Sequence, residues 1–274
     1  MSKERDYVLG TNDEEISRLG LQHRVWRATV LDCWQKAGIT AGSKVLDIGA
    51  GPGYATVDLS EIVGPTGQVT AVERSTKFVQ HMRETCQARG LANVNVHELD
   101  LMTDSLPGAG YDFCWCRWVV SFVSDRALLV RKMAEALRPG GRAIFHEYGH
   151  YRTWRFSPQL PTQEEFAEHV IQSWLETGGK ADVGLDIPPL LAENGLSVRS
   201  VTPHVFSVRP DEYMWQWPAA FVQTGTSRLQ ELGKIDAAFG EKLRAEFFSA
   251  ESNPNAVMTT PLVLEIIAQK GLGR

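Results

Sequence analysis

Cysteine is scarce in this chain: of 274 residues only Cys33, Cys86, Cys114 and Cys116 carry a thiol. None stands in the paired CxxC spacing of a zinc or redox site, which excludes a disulfide framework or a cysteine-rich metal fold as the organising principle. Cys114 and Cys116 fall in one apolar run, where free cysteine behaves as a small buried hydrophobe. Long hydrophobic runs are missing too. No window of about 18 apolar residues occurs, and Met1 to Asp6 is charged where a signal peptide needs an apolar stretch. The expectation is a soluble, cytoplasmic chain with no membrane partner. Positive charge is short, with 28 Lys and Arg against 33 Asp and Glu and a net charge of −5. With no basic cluster interleaved with aromatics, nucleic acid is not an expected partner. Repeats and low-complexity tracts are absent as well.

What is present is an ordinary globular composition, 43% hydrophobic and 22% charged, in a chain long enough to bury a full core. Asn12, followed by Asp13, Glu14 and Glu15, reads as a helix start with Glu15 at the capping-box position. Ile16, Leu19, Trp26, Val30, Cys33, Trp34 and Ala37 then recur at helical spacing up to Gly38. From Lys44 the texture changes. Short apolar runs at Val45 to Ile48, Val69 to Val72, Val94 to Glu98, Tyr111 to Cys116 and Arg142 to Tyr148 alternate with helical patterns at Tyr54 to Val63, Thr76 to Arg89 and Asp125 to Leu137. That alternation predicts βαβ units, hence an α/β fold whose parallel sheet is covered on both faces.

Beyond Tyr148 the rhythm breaks into a helix over about 163–177, a short one at Leu190 to Asn194, a strand from Leu196 to Val208, a helical stretch from Pro210 to about Ser249, and a last strand over 261–269. The expectation is one domain, 1–274. It comprises a helical N-terminal part (1–38), a ligand-binding half (40–148) and two excursions, 150–180 and 210–250, leaving from the strand ends where α/β sheets bind ligands.

The strongest signal is Val45-Leu46-Asp47-Ile48-Gly49-Ala50-Gly51-Pro52-Gly53-Tyr54, an apolar strand running through a glycine-rich turn into a helix. Glycines let the backbone bend sharply and let a ligand approach with no Cβ in the way. The spacing is GxGxG, not the GxGxxG of a dinucleotide site. Asp47 precedes the first glycine, Glu73 ends the second strand, and Asp100 follows the third. A carboxylate at the position of Glu73 suits a pair of ribose hydroxyls.

Together these residues resemble a class I S-adenosylmethionine-dependent methyltransferase of the small-molecule group. The likeness covers about residues 40–148, including Cys116-Arg117-Trp118 and the turn Arg138-Pro139-Gly140-Gly141. It implies a Rossmann-like, doubly wound, mostly parallel seven-stranded sheet with the last strand antiparallel, an N-terminal lid helix and helical insertions. It implies S-adenosylmethionine as cofactor. Gly49, Ala50, Gly51 and Gly53 would lie under the methionine moiety, supported by Asp47, and Glu73 would bind the ribose. Arg74 and Leu101 would flank the adenine, with Asp100 on its amino group; the backbone at Cys116, closing the fourth strand, would accept from the methionine ammonium, and Arg117 after it would also lie at the cofactor. Gln22 and Arg27 on the lid helix are candidates for the methionine carboxylate, a guanidinium matching it geometrically.

His146-Glu147-Tyr148-Gly149-His150 spells HExxH. As a strand it would hold the two imidazoles roughly 13 Å apart, against roughly 6 Å on a helix, so no metal site is expected there. The same segment leaves the fifth strand beside the expected donor methyl. Glu147 and His146 are therefore the catalytic candidates, with Tyr7 ahead of the lid helix. Aromatics in both excursions, Trp154 and Trp217 among them, suit a small apolar or aromatic acceptor, methylated without a metal. A nicotinamide oxidoreductase and a non-catalytic cofactor-binding module remain as alternatives, and homo-oligomer formation stays open.

Overall fold

The computed structural model describes residues 10–272. Helix α1 (Asp13–Ala37) starts at Asn12, whose side chain accepts from the Glu15 amide, and ends at Gly38 with φ of 87°. The capping box is not completed: the Glu15 carboxylate instead accepts from Arg18 Nε and Nη2 at 2.7 and 2.6 Å. Then follow β1 (Lys44–Ile48), α2 (Tyr54–Val63), β2 (Gln68–Glu73), α3 (Thr76–Arg89), β3 (Val94–Glu98), β4 (Tyr111–Arg117), α4 (Arg126–Ala136) and β5 (Leu137–His150). Ser75 and Asp125 cap α3 and α4 through their side chains, each satisfying an amide that the first helical turn leaves without a partner.

The second half contributes β6 (Arg155–Ser157), α5 (Pro161–Glu176), α6 (Ile187–Glu193), β7 (Leu196–His204) and β8 (Ser207–Val208). It closes with α7 (Gln216–Glu231), α8 (Ala237–Glu251), β9 (Val257–Thr259) and β10 (Leu262–Lys270). Seven strands form the main sheet in the order β3-β2-β1-β4-β5-β10-β7. Strands β1 to β5 pair in parallel, whereas β10 runs antiparallel to both β5 and β7. The chain order reverses between β1 and β4, and a ligand crevice belongs at the carboxyl ends there.

The expected single strand from Leu196 to Val208 is two. Beyond His204 the chain leaves the main sheet: Phe206 exchanges hydrogen bonds with Thr260, and β8 joins β9 and β6 in a small antiparallel sheet. This sheet ties the two excursions together, and helices α5, α7 and α8 pack over it. Their interior is aromatic, with Trp154, Phe156, Phe166, Trp215 and Phe247 all buried. Helix α1 belongs to the core as much as to any lid, since Trp26, Val30, Cys33, Trp34 and Ala37 are fully buried. No helix among the described residues is long and apolar enough to cross a membrane.

Candidate functional site

The loop between β1 and α2 shapes the site. Gly49, Gly51 and Gly53 have φ of 62°, 57° and 89°, a left-handed region that L side chains rarely adopt. A Cβ on Gly49 would stand 2.5 Å from Val119 Cγ2, and one on Gly53 would stand 2.4 Å from Met82 Cγ. Packing therefore demands the first and third glycines. A Cβ on Gly51 would meet nothing within 4 Å. It would enter a cleft of about 510 Å³, of a size that suits a small-molecule ligand.

Carboxylates hold this loop in place. Asp47, buried behind it, accepts from Thr56 Oγ1 at 2.6 Å, and burial raises its carboxyl to about 6. Glu73 accepts from the Gly51 amide at 3.0 Å through Oε2, and from the Arg74 and Ser75 amides at 2.9 and 2.8 Å through Oε1. Burial raises its carboxyl and the three amides oppose that. Arg74, Asp100 and Leu101 line the far end of the same cleft. Asp100 Oδ1 accepts from the Met102 amide at 2.8 Å.

The near end is built around Arg117. Its Nη2 donates to His23 Nδ1 at 3.1 Å, so the other ring nitrogen, Nε2, carries the proton towards Asp58 Oδ2, also at 3.1 Å. Asp58 is held in turn by Arg27 Nε at 2.7 Å. Nη1 of Arg117 is buried with no partner, its guanidinium lies 5.1 Å from the Trp118 ring centroid, and burial lowers it to about 10. A buried N–H left unpaired is costly, and Arg117 is one of the residues that line the cleft. Arg27 is not free for a ligand carboxylate as expected, because Asp58 already engages it. The acid of α2 was the overlooked signal, an Asp inside the otherwise apolar run Val57-Asp58-Leu59.

Gln22 is buried, and its Oε1 accepts from Arg18 Nη1 at 2.9 Å and Trp217 Nε1 at 3.1 Å. It lines the cleft and also a second, smaller chamber of about 30 Å³, lined too by Tyr148, Trp154 and Trp217. Trp118 and Phe122 complete the shared wall. Among the described residues Trp118 is the one non-glycine with positive φ, 52°. Its ring stacks on Trp217 at 5.7 Å and on Tyr148 at 5.9 Å. The indole N–H groups of Trp118 and Trp174 are buried without partners.

Three of the expected contributors do not reach the cleft. Cys116 is fully buried, and the lining comes instead from its neighbours Trp115 and Arg117. Glu147 is 0% exposed and caps the turn after β4: Oε1 accepts from the Val119 and Val120 amides, both at 2.7 Å, and Oε2 from Ser121 Oγ at 2.8 Å. With every contact inside the protein, it holds a turn and meets no acceptor. His146 is also 0% exposed, facing Glu265 and the rings of Trp26 and Trp115. His150 lies on the surface beside Asp182, so the HExxH residues do not converge. Tyr7 lies outside the described residues.

Residues 45–141 match the methyltransferase domain family. A ubiquinone/menaquinone biosynthesis C-methyltransferase, UbiE, from Pasteurella multocida is 31% identical over 127 residues, covering 46% of this chain and 46% of that protein. The chain thus spans about half the length of the curated relatives it matches. Among solved structures, coclaurine N-methyltransferase bound to N-methylheliamine and SAH superposes with a TM-score of 0.55 at 17% identity, over 89% of this chain and 72% of that one. The [4+2]-cyclase SpnF gives 0.58 at 16%, over 90% and 82%. These likenesses establish the fold. The cyclase among them shows that the fold alone does not set the reaction.

Proposed function

We propose that this chain, a member of the methyltransferase-domain family by its residues 45–141, transfers a methyl group from S-adenosylmethionine to a small aromatic acceptor. The observation that carries this reading is the cleft itself: an open side at Gly51, acids at Glu73 and Asp100, and an unsatisfied guanidinium nitrogen on Arg117 at the opposite end. In this reading Arg117 takes the methionine carboxylate, and Gly49, Ala50, Gly51 and Gly53 underlie the chain leading to the sulfur. Glu73 accepts from the ribose, with Arg74 and Leu101 against the adenine and Asp100 at its amino group. Gln22 closes the cleft from α1. Bound S-adenosylmethionine supplies a methyl group already activated by a sulfonium.

What remains for the protein is to place the acceptor in line and exclude water, and orientation of this kind supplies about 7–11 kcal/mol. Trp118, Tyr148 and Trp217 form the aromatic side of the acceptor chamber, and the quinone chemistry in the relative's name supports a phenol or quinol ring. The four free cysteines suit a reducing, cytoplasmic setting.

Calorimetry with S-adenosylhomocysteine, paired with transfer of isotope-labelled methyl groups into a panel of phenols, quinols and amines, tests the assignment. Binding of the nucleoside with label appearing in an aromatic acceptor supports it. NADH binding without a response to the nucleoside would instead place the chain among oxidoreductases. Nucleoside binding with no transfer across the panel and a metabolite extract would leave a binding module.

A further inference from the structure

His146, unused by the cleft, belongs to a closed polar cluster in the core. Cys33 on α1, His146 on β5 and Glu265 on β10 are all 0% exposed. One ligand-type atom from each lies within 4.8 Å of the other two. His204 on β7 adjoins this group of three through Glu265, its Nε2 3.1 Å from Oε2, the same oxygen that lies 3.3 Å from His146 Nε2. The surroundings are apolar, with Trp26 ring centroids at 6.2 and 6.1 Å from the two imidazoles.

Two features of the cluster are unexplained by hydrogen bonding within the protein. His146 Nδ1 and Glu265 Oε1 are buried with no partner. Among the described residues no Lys or Arg forms an ion pair with Glu265; its charge faces the two histidines and the Cys33 thiol, with Lys36 acting only at longer range. A buried carboxylate with no cation beside it is costly.

We propose that Cys33, His146, His204 and Glu265 bind one divalent transition-metal ion of the zinc type. A thiolate and a carboxylate together neutralise a dication, and two neutral imidazoles complete a tetrahedral set of nitrogen, sulfur and oxygen donors that suits zinc. On binding, the Cys33 thiol passes its proton to solvent and the sulfur takes the metal. Zinc bonds of about 2.0–2.3 Å set ligand atoms roughly 3.3–3.8 Å apart, so Cys33, His146 and Glu265 need inward shifts on the order of an ångström, and His204 moves in from its place beside Glu265. Four protein donors leave no open position, which makes the site structural. It fastens α1, β5, β7 and β10 to one another, and α1 in turn carries Leu19 and Gln22 to the cleft.

Because a closed site fills during folding, the whole protein is produced once with zinc supplied and once with cobalt, then passed through a chelating column before elemental analysis. One metal ion per chain is expected, and the cobalt form shows a thiolate-to-metal charge-transfer band with the intense visible bands of tetrahedral coordination. Cys33→Ser abolishes the charge-transfer band, and Glu265→Gln weakens metal retention at least about tenfold. Wild-type protein that is folded by circular dichroism and carries no stoichiometric metal from either preparation overturns the proposal. So does bound cobalt without a thiolate band, or a metal content that both substitutions leave unchanged.

Discussion

Two carboxylates, half-buried Glu73 and fully buried Glu147, each accept three hydrogen bonds from the chain, yet only Glu73 lines the cleft. Glu73→Gln replaces an acceptor oxygen with a donor facing a backbone amide and removes charge from the ribose side. Affinity for S-adenosylhomocysteine should fall at least about tenfold by calorimetry, the loss of one charge-assisted bond. Glu147 should act through stability. Burial raises its carboxyl from 4.5 to about 7, so the folded state holds the proton more tightly than the unfolded one. Its contribution is complete below the unfolded value and lost as pH rises through about 7, a swing on the order of 3 kcal/mol. Denaturant titrations from pH 5 to 8 should show wild type losing stability relative to Glu147→Gln; parallel curves would mean that Glu147 is ionised throughout. Sequence reading found the loop acids because strand ends and glycine spacing locate them. It misjudged Glu147 and His146 because the period of a strand tells which residues share a face, not what covers that face. It named Arg27 beside Gln22 for the methionine carboxylate because nothing local reveals that Asp58 lies across from Arg27.

At the scale of the element, the three glycines of the β1–α2 loop should separate by readout. Gly49→Ala and Gly53→Ala force a Cβ into Val119 or Met82 at positive φ. Each should cost more than the roughly 1–2 kcal/mol of the backbone conformation alone, measured by chemical unfolding. Gly51→Ala has the same backbone cost but open space, so unfolding should change little beyond that while nucleoside affinity drops. Equal stability losses at all three positions would mean that the loop is not shaped around a ligand. The helices of the first half of the chain were legible nearly to the residue because Ser75, Asp125, Gly38 and Gly90 mark their ends through caps. The break after His204 was not. Val205 to Val208 continues an alternating pattern, and only the tertiary pairing with Thr260 and β9 turns it into a second sheet.

At the scale of the molecule, the sheet order followed from the alternation of strands and helices, whereas the meeting of the two excursions over one aromatic interior depends on contacts between segments far apart in the chain. Helix α1 spans both regions: Leu19 and Gln22 reach the cleft, while Trp34 is packed edge-on to Trp115 at 5.3 Å in the core. Trp34→Ala should therefore cost about 3–5 kcal/mol, as for other large core truncations, read by chemical unfolding. A smaller loss would make α1 a detachable cover. The shared wall of Gln22, Trp118 and Phe122 has a further consequence. A chamber of about 30 Å³ holds no aromatic ring, so an acceptor must displace part of its lining, and the wall it shares with the larger cleft belongs to that lining. The two ligands are then coupled through one partition, and linkage makes the coupling reciprocal. Whatever factor S-adenosylhomocysteine imposes on acceptor affinity, the acceptor must impose on S-adenosylhomocysteine, and a Trp118→Ala protein should bring both factors towards one together.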